Sequence, residues 1–119
     1  MSTTPIYTVI VEALNTVLGA VFPQFAPADT SPPYIVYSVA ASAPENTLAD
    51  GVSIDNLRYQ VDVYASTYSD VQRIAKLVRA AMLAIAYPVS VVALSQIDAY
   101  ESDVRLHRVI SEFSVWFNQ

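Results

Sequence analysis

Polar and apolar positions change period abruptly within residues 57–82. Leu57, Tyr59, Val61, Val63 and Ala65 alternate with Arg58, Gln60, Asp62, Tyr64 and Ser66, the period-2 pattern of a half-buried strand. Val71, Ile74, Ala75, Val78, Ala81, Met82 and Ile85 then recur at helical spacing, with Arg73, Lys76 and Arg79 kept off that face. Ser69 with Gln72 three residues later reads as a capping box that starts the helix. A strand running straight into a capped amphipathic helix is a scaffold and carries no chemistry of its own.

The same reading extends to both ends. Thr4-Pro5 suits a helix opening, with Thr as cap and Pro at the first helical position. Ile6, Val9, Ile10, Ala13, Leu14, Val17 and Leu18 share one face of that helix, and Gly19 suits its stop. Residues 23–33 hold four of the seven prolines and read as a rigid connector. Residues 34–40 predict a strand, and residues 41–52 a loop with Asp50-Gly51 as its turn signal. Residues 89–97 and 104–117 predict two further strands joined around the acidic stretch 98–103. The resulting order is α-β-β-α-β-β. It predicts an α+β fold in which two helices pack on one face of a four-stranded antiparallel or mixed sheet. Residues 1–119 read as one domain, long enough to bury a core without disulfides or metal.

Composition narrows the function. Charged residues make up only 14%, against about 25% in an average domain. One Trp, eight Tyr and four Phe accompany that deficit. Interface cores lose charge and gain aromatics, so the pair of features predicts a surface covered by other subunits. A net charge of −5 disfavours tight binding to a phosphate backbone. The apolar run 80–94 contains Pro88 and is shorter than the roughly 18 residues of a membrane span, and the N-terminus shows no export signal. A soluble protein is expected.

Most site chemistry is excluded by residue counts. With no Cys there are no thiolate metal sites, thiol nucleophiles or disulfides. Gly19 and Gly51 are the only glycines, too few for a phosphate-binding loop or a dinucleotide fingerprint. The single histidine, His107, sits mid-strand without a nucleophile elbow and reads as a strand residue rather than a catalytic base. Asp98, Glu101 and Asp103 lack calcium-loop spacing, so a solvated turn is expected there. Arg73, Lys76 and Arg79 form a row that reads as a solvated helix face, with a partner site as the alternative, and is too small for nucleic acid. No catalytic, cofactor-binding or metal residues are therefore assigned. The terminal Val115-Trp116-Phe117 places large apolar side chains on both faces of its strand. One face must meet a second layer or another subunit, and both possibilities stand.

Three stretches and their order resemble the tail completion proteins of long-tailed bacteriophages. They are Pro33-Tyr-Ile-Val-Tyr, Asn46-Thr-Leu-Ala-Asp-Gly51 and Tyr59-Gln-Val-Asp-Val-Tyr-Ala-Ser-Thr-Tyr68. Ile74-Ala-Lys-Leu-Val-Arg79 and the ending from Tyr100 to Phe117 continue the resemblance, although residues 87–94 lack the glycines expected near that turn. The resemblance implies a virion structural protein and no enzyme. Such a protein caps the head-proximal end of the tail tube as a hexameric ring, stops tube polymerisation and presents a docking surface to the head connector. Implied partners are copies of itself, the tail tube protein and the connector or stopper, with DNA passing the lumen unbound and no membrane. Assembly in the host cytoplasm and a place in the virion tail follow from the same resemblance. Another neck component, such as a head completion protein, is the alternative, and a small-molecule-binding or enzymatic α+β domain is the reading from a different class. Protein contacts are expected at Pro44, Glu45, Asn46, Leu48 and Asp50, which form a loop arm with turn-favouring residues and an apolar anchor, and at Trp116.

Overall fold

The computed structural model describes residues 5–42, 54–86 and 89–118. Its elements are α1 (Ile6–Asn15), β1 (Val21–Pro23), β2 (Tyr34–Ser42), β3 (Ile54–Ala65), α2 (Tyr68–Leu83), β4 (Ser90–Glu101) and β5 (Leu106–Asn118). The strands form one five-stranded sheet in the order β1-β2-β3-β5-β4. β1 runs parallel to β2, and every other pairing is antiparallel. The fold is α+β with a mixed sheet, as expected, but it has five strands rather than four.

The extra strand has a physical reason to be silent in the sequence. Val21-Phe22-Pro23 is too short to show period-2 alternation, and its proline argues against a strand. Proline is tolerated because β1 is an edge, where a missing donor leaves no ladder bond unmade. The ladder continues one residue further, where the Gln24 amide donates to the Tyr37 carbonyl at 2.8 Å. Gln24 adopts φ 67° there, so the chain leaves the edge at once.

One face of the sheet carries the core. Tyr59, Val61, Val63 and Ala65 of β3 are buried with Val109, Phe113 and Val115 of β5 and Ile35 of β2. Against them pack Val71, Ile74, Ala75, Val78 and Met82 of α2 and Ile10 and Leu14 of α1. Both predicted helix faces are therefore the buried ones, and Arg73, Lys76 and Arg79 point to solvent.

The helix ends differ from the sequence reading. Thr67, not Ser69, caps α2: its hydroxyl accepts from the Asp70 amide at 3.1 Å. Gln72 is thereby released from any capping role and donates to Asp98 of β4 at 3.0 Å. Helix α1 ends at Asn15, with the Thr16 amide bonded back to the Ala13 carbonyl, so Gly19 lies beyond the stop rather than forming it.

The opposite face of the sheet has no helix, yet at one end it is not bare. Asp62 lies on that face, as its alternation with Val61 and Val63 requires, but it is only 5% exposed. The Arg108 guanidinium donates to Asp62 Oδ2 and to Glu101 Oε1, each at 2.6 Å. Burial opposes charge on Arg108, but these two bonds outweigh it and its pKa is raised. Tyr64 lies beneath the guanidinium, 5.4 Å from its carbon to the ring centroid. Tyr64 stacks on Tyr34 at 4.8 Å, and Tyr34 meets Phe22 edge-on at 6.4 Å. The chain of contacts Phe22–Tyr34–Tyr64–Arg108–Glu101 thus crosses all five strands.

Two stability measurements check these assignments. Thr67→Ala should cost about 1 kcal/mol, the usual worth of a side-chain cap, while Ser69→Ala should stay within about 0.5 kcal/mol. Asp62→Ala should cost about 2 kcal/mol in denaturant unfolding, the worth of a hydrogen bond to a charged group, because Arg108 keeps its bond to Glu101.

Candidate assembly surface

His107, Asp98 and Glu101 are engaged in structure. His107 is half-buried on β5, edge-on to Tyr100 at 4.9 Å and to Tyr68 at 5.9 Å. It is a packed strand residue, as expected. Tyr68 donates to Asp98 Oδ2 at 3.0 Å, which raises its own pKa. Asp98 and Glu101 of the acidic stretch sit on opposite faces of β4, one bonded to α2 and the other to Arg108. No cluster of His, Cys, Asp or Glu that could hold a metal ion occurs among the described residues. The stretch is less of a loop than predicted, since β4 extends to Glu101 and the turn tightens to residues 102–105, with Arg105 at φ 56°.

A cavity of about 440 Å³ lies on the helix-free face beside the Arg108 network. Gln24, Phe25 and Ala26 form one wall, and Tyr34, Val36, Asp62, Tyr64 and Arg108 lie against it. The segment after β1 thereby explains why Val36 and Asp62 are buried on a face without helices. Among the groups lining it, Gln60, Asp62, Arg108 and Glu101 are bonded to one another, and the phenols of Tyr34 and Tyr64 are raised by burial, with Arg108 opposing. Such an arrangement holds strands in register.

The surface left unpartnered is elsewhere. On the helix-free face, away from this cavity, Val92 (48%) and Ile97 (57%) of β4 are exposed. Ile110 and Trp116 of β5 are half-buried beside them. Trp116 stands between Asn56 of β3 and Ser90 of β4, and Phe117 turns to the helix side and packs on the core. Beyond β4 there is no further strand among the described residues. Its edge is 12 residues long, and from Ser90 to Ile97 it contains no charge, Pro or Gly. Natural edges that must stay unpaired are blunted by charge, Pro, shortness or a bulge; this stretch has only the bulge between Ala93 and Ser95.

Of the residues singled out from the sequence, the structure places Trp116 on this face. Pro44, Glu45, Asn46, Leu48 and Asp50 lie outside the described residues. Sequence reasoning missed the β4 edge, because a strand's place in the sheet is not a property of its own pattern. It also missed the Asp62–Arg108–Glu101 network. The one available signal was Asp62 standing between Val61 and Val63 in a strand apolar enough to be central.

No helix among the described residues is long and apolar enough to cross a membrane. The comparison with curated proteins found no match. Among solved structures, the chain is similar to one described as the virion of a native gene transfer agent particle. Identity is 12%, the TM-score is 0.65, and 92% of each chain is covered; at that identity the likeness is one of fold. The family model for tail completion protein gp17 matches residues 8–118. With nearly the whole chain matched, in a fold whose polar groups serve strand register, this chain belongs to the phage tail completion family, as a structural protein of the virion and not an enzyme.

Proposed function

We propose that this chain, as a single domain over residues 1–119, is a tail terminator. It caps the head-proximal end of the tail tube as a hexameric ring, stops tube growth and gives the head connector or stopper its docking surface. The observation that carries this reading is the long, uncharged β4 edge beside a helix-free sheet face, in a chain of the tail completion family. A heterologous contact that closes by rotation gives a ring. Growth stops if the ring's far side does not repeat the tube's interface. Net charge of −5 on each copy suits a lumen that passes DNA without gripping it.

The contact residues in this reading are Trp116 and the arm bearing Pro44, Glu45, Asn46, Leu48 and Asp50. A loop of that length in a small domain is usually functional or disordered. Leu48 offers an apolar anchor, while Glu45 and Asp50 add charge. The arm would reach an adjacent copy or the tube below.

Cross-linking purified tails and mapping the products by microscopy tests the assignment. Six copies at the head-proximal end are expected, and tails from phage lacking the gene should be abnormally long. Copies spread along the tube would overturn the terminator role. Replacing residues 44–50 with a short Gly-Ser turn should leave stability within roughly 1 kcal/mol while abolishing termination or head joining. Normal phage yield from that variant would move the contact to the sheet or helices.

A further inference from the structure

We infer that a notch on the β4 edge is a receptor for a carboxylate side chain from a second copy of this chain. The inference rests on the ring reading above and names the contact that would join its subunits. At the bulge between Ala93 and Ser95, β4 bends away from β5 and opens a cavity of about 180 Å³ under α2. Arg79, Ser95, Gln96 and Ser111 line it, with Phe113 among the apolar residues beside them. That volume exceeds the roughly 30 Å³ a water occupies in the liquid, so there is room for the end of an acidic side chain.

The chemistry of the lining selects an anion. Ser111 is 3% exposed and its hydroxyl has no hydrogen-bond partner, a costly state for a buried polar group unless something meets it. Arg79 makes no ion pair among the described residues. Gln72, Lys76 and Arg79 lie at i, i+4 and i+7 on α2 and so share one stripe. The bond from Gln72 to Asp98 and the place of Arg79 in the cavity fix that stripe beside β4. No carboxylate occurs in β4 before Asp98, so two cations overhang a neutral edge. A carboxylate presents two oxygens that accept several hydrogen bonds. Arg79 of α2, together with Ser111 and Gln96, which share the helix side by register, supply donors of the matching kind.

Charge distribution argues for the source. Every Lys and Arg of the chain lies at Arg58 or later, whereas Glu12, Asp29, Glu45, Asp50 and Asp55 precede it. The early elements α1 and β1 belong to the opposite side of the sheet from β4. Among the described residues, the side of α1 and β1 carries Glu12 and Asp29 and no Lys or Arg, and the other offers Lys76 and Arg79 over a free edge. Unlike sides that complement each other make a head-to-tail contact, the type that closes into a ring.

Zero-length coupling tests this on assembled tails. Arg79→Lys places an amine in the notch, and a carbodiimide joins an amine to a carboxylate only where the two touch. Tails assembled from isotopically light and heavy copies, digested and analysed by mass spectrometry, should show residue 79 linked to an acidic residue before Arg58 of a different copy. Arg79→Glu should weaken association of the chain by at least about tenfold, and reversing the coupled acidic residue to Lys should restore it. Ser111→Val should also weaken association while leaving the thermal midpoint equal or higher, which separates the contact from folding. Links from residue 79 to the tube protein, to the connector or within one copy would overturn the inference, as would their absence. So would unchanged association of Arg79→Glu. If copies sit at the tail end but these links fail, the notch falls and the terminator reading stands; copies along the tube would sink that reading whatever the links show.

Discussion

Two helices can cover only one face of a five-stranded sheet, and the rest of this structure follows from that constraint. Burial of Val71, Ile74, Ala75, Val78 and Met82 on Val61, Val63, Val109, Phe113 and Val115 makes a single two-layer core. At about 25 cal/mol per Å² of apolar area removed from water, such a layer is the main source of stability. The second face gains nothing from it. That face must be held by other means or left for a partner, and the molecule does both.

At one end the helix-free face is held by the contacts from Phe22 to Glu101. Aromatic stacking, an Arg over a tyrosine ring and two charge-assisted bonds replace the missing hydrophobic layer. A buried ion pair is poor evidence of net stability, because desolvation offsets most of its attraction. Its geometric demand is the useful part. Asp62, Arg108 and Glu101 come from three adjacent strands, and a one-residue slip of any of them would turn its side chain to the other face. At the other end Asn56 bonded to Ser114 and Arg58 paired with Glu112 tie β3 to β5. No such contact among the described residues reaches β4 there, and Val92, Ile97 and Trp116 are left beside its uncharged edge. The low charge of the chain is then intelligible, since charge there would obstruct a partner.

The asymmetry also bears on how a small protein could end a polymer. A self-complementary patch would pair two copies and stop there. Unlike patches on opposite sides continue from copy to copy until rotation closes them. In the contact inferred above, Glu12 and Asp29 on one side and Lys76 and Arg79 on the other would be of the second kind.

The strand-to-helix unit of residues 57–82 was legible from the sequence because period 2 and period 3.6 are set by backbone geometry, whatever the neighbours. Both helix faces, the late hairpin and the structural role of His107 were legible for the same reason. The family was legible because several such units recur in one order. Other features depended on position in the assembled sheet. The strand at Val21–Pro23 exists only because β2 offers it an edge. Thr67 won the cap from Ser69 because β3 releases the chain at Ala65 and α2 starts at Tyr68. Asp62 looked like a solvated strand residue until Arg108, 46 positions away, crossed the ladder to meet it. The β4 edge and the notch under Arg79 are likewise defined by what does not pack there. A sequence pattern records which side chains avoid water, whereas strand order and bulge position, decided by the tertiary fold, determine which of them are left to find a partner.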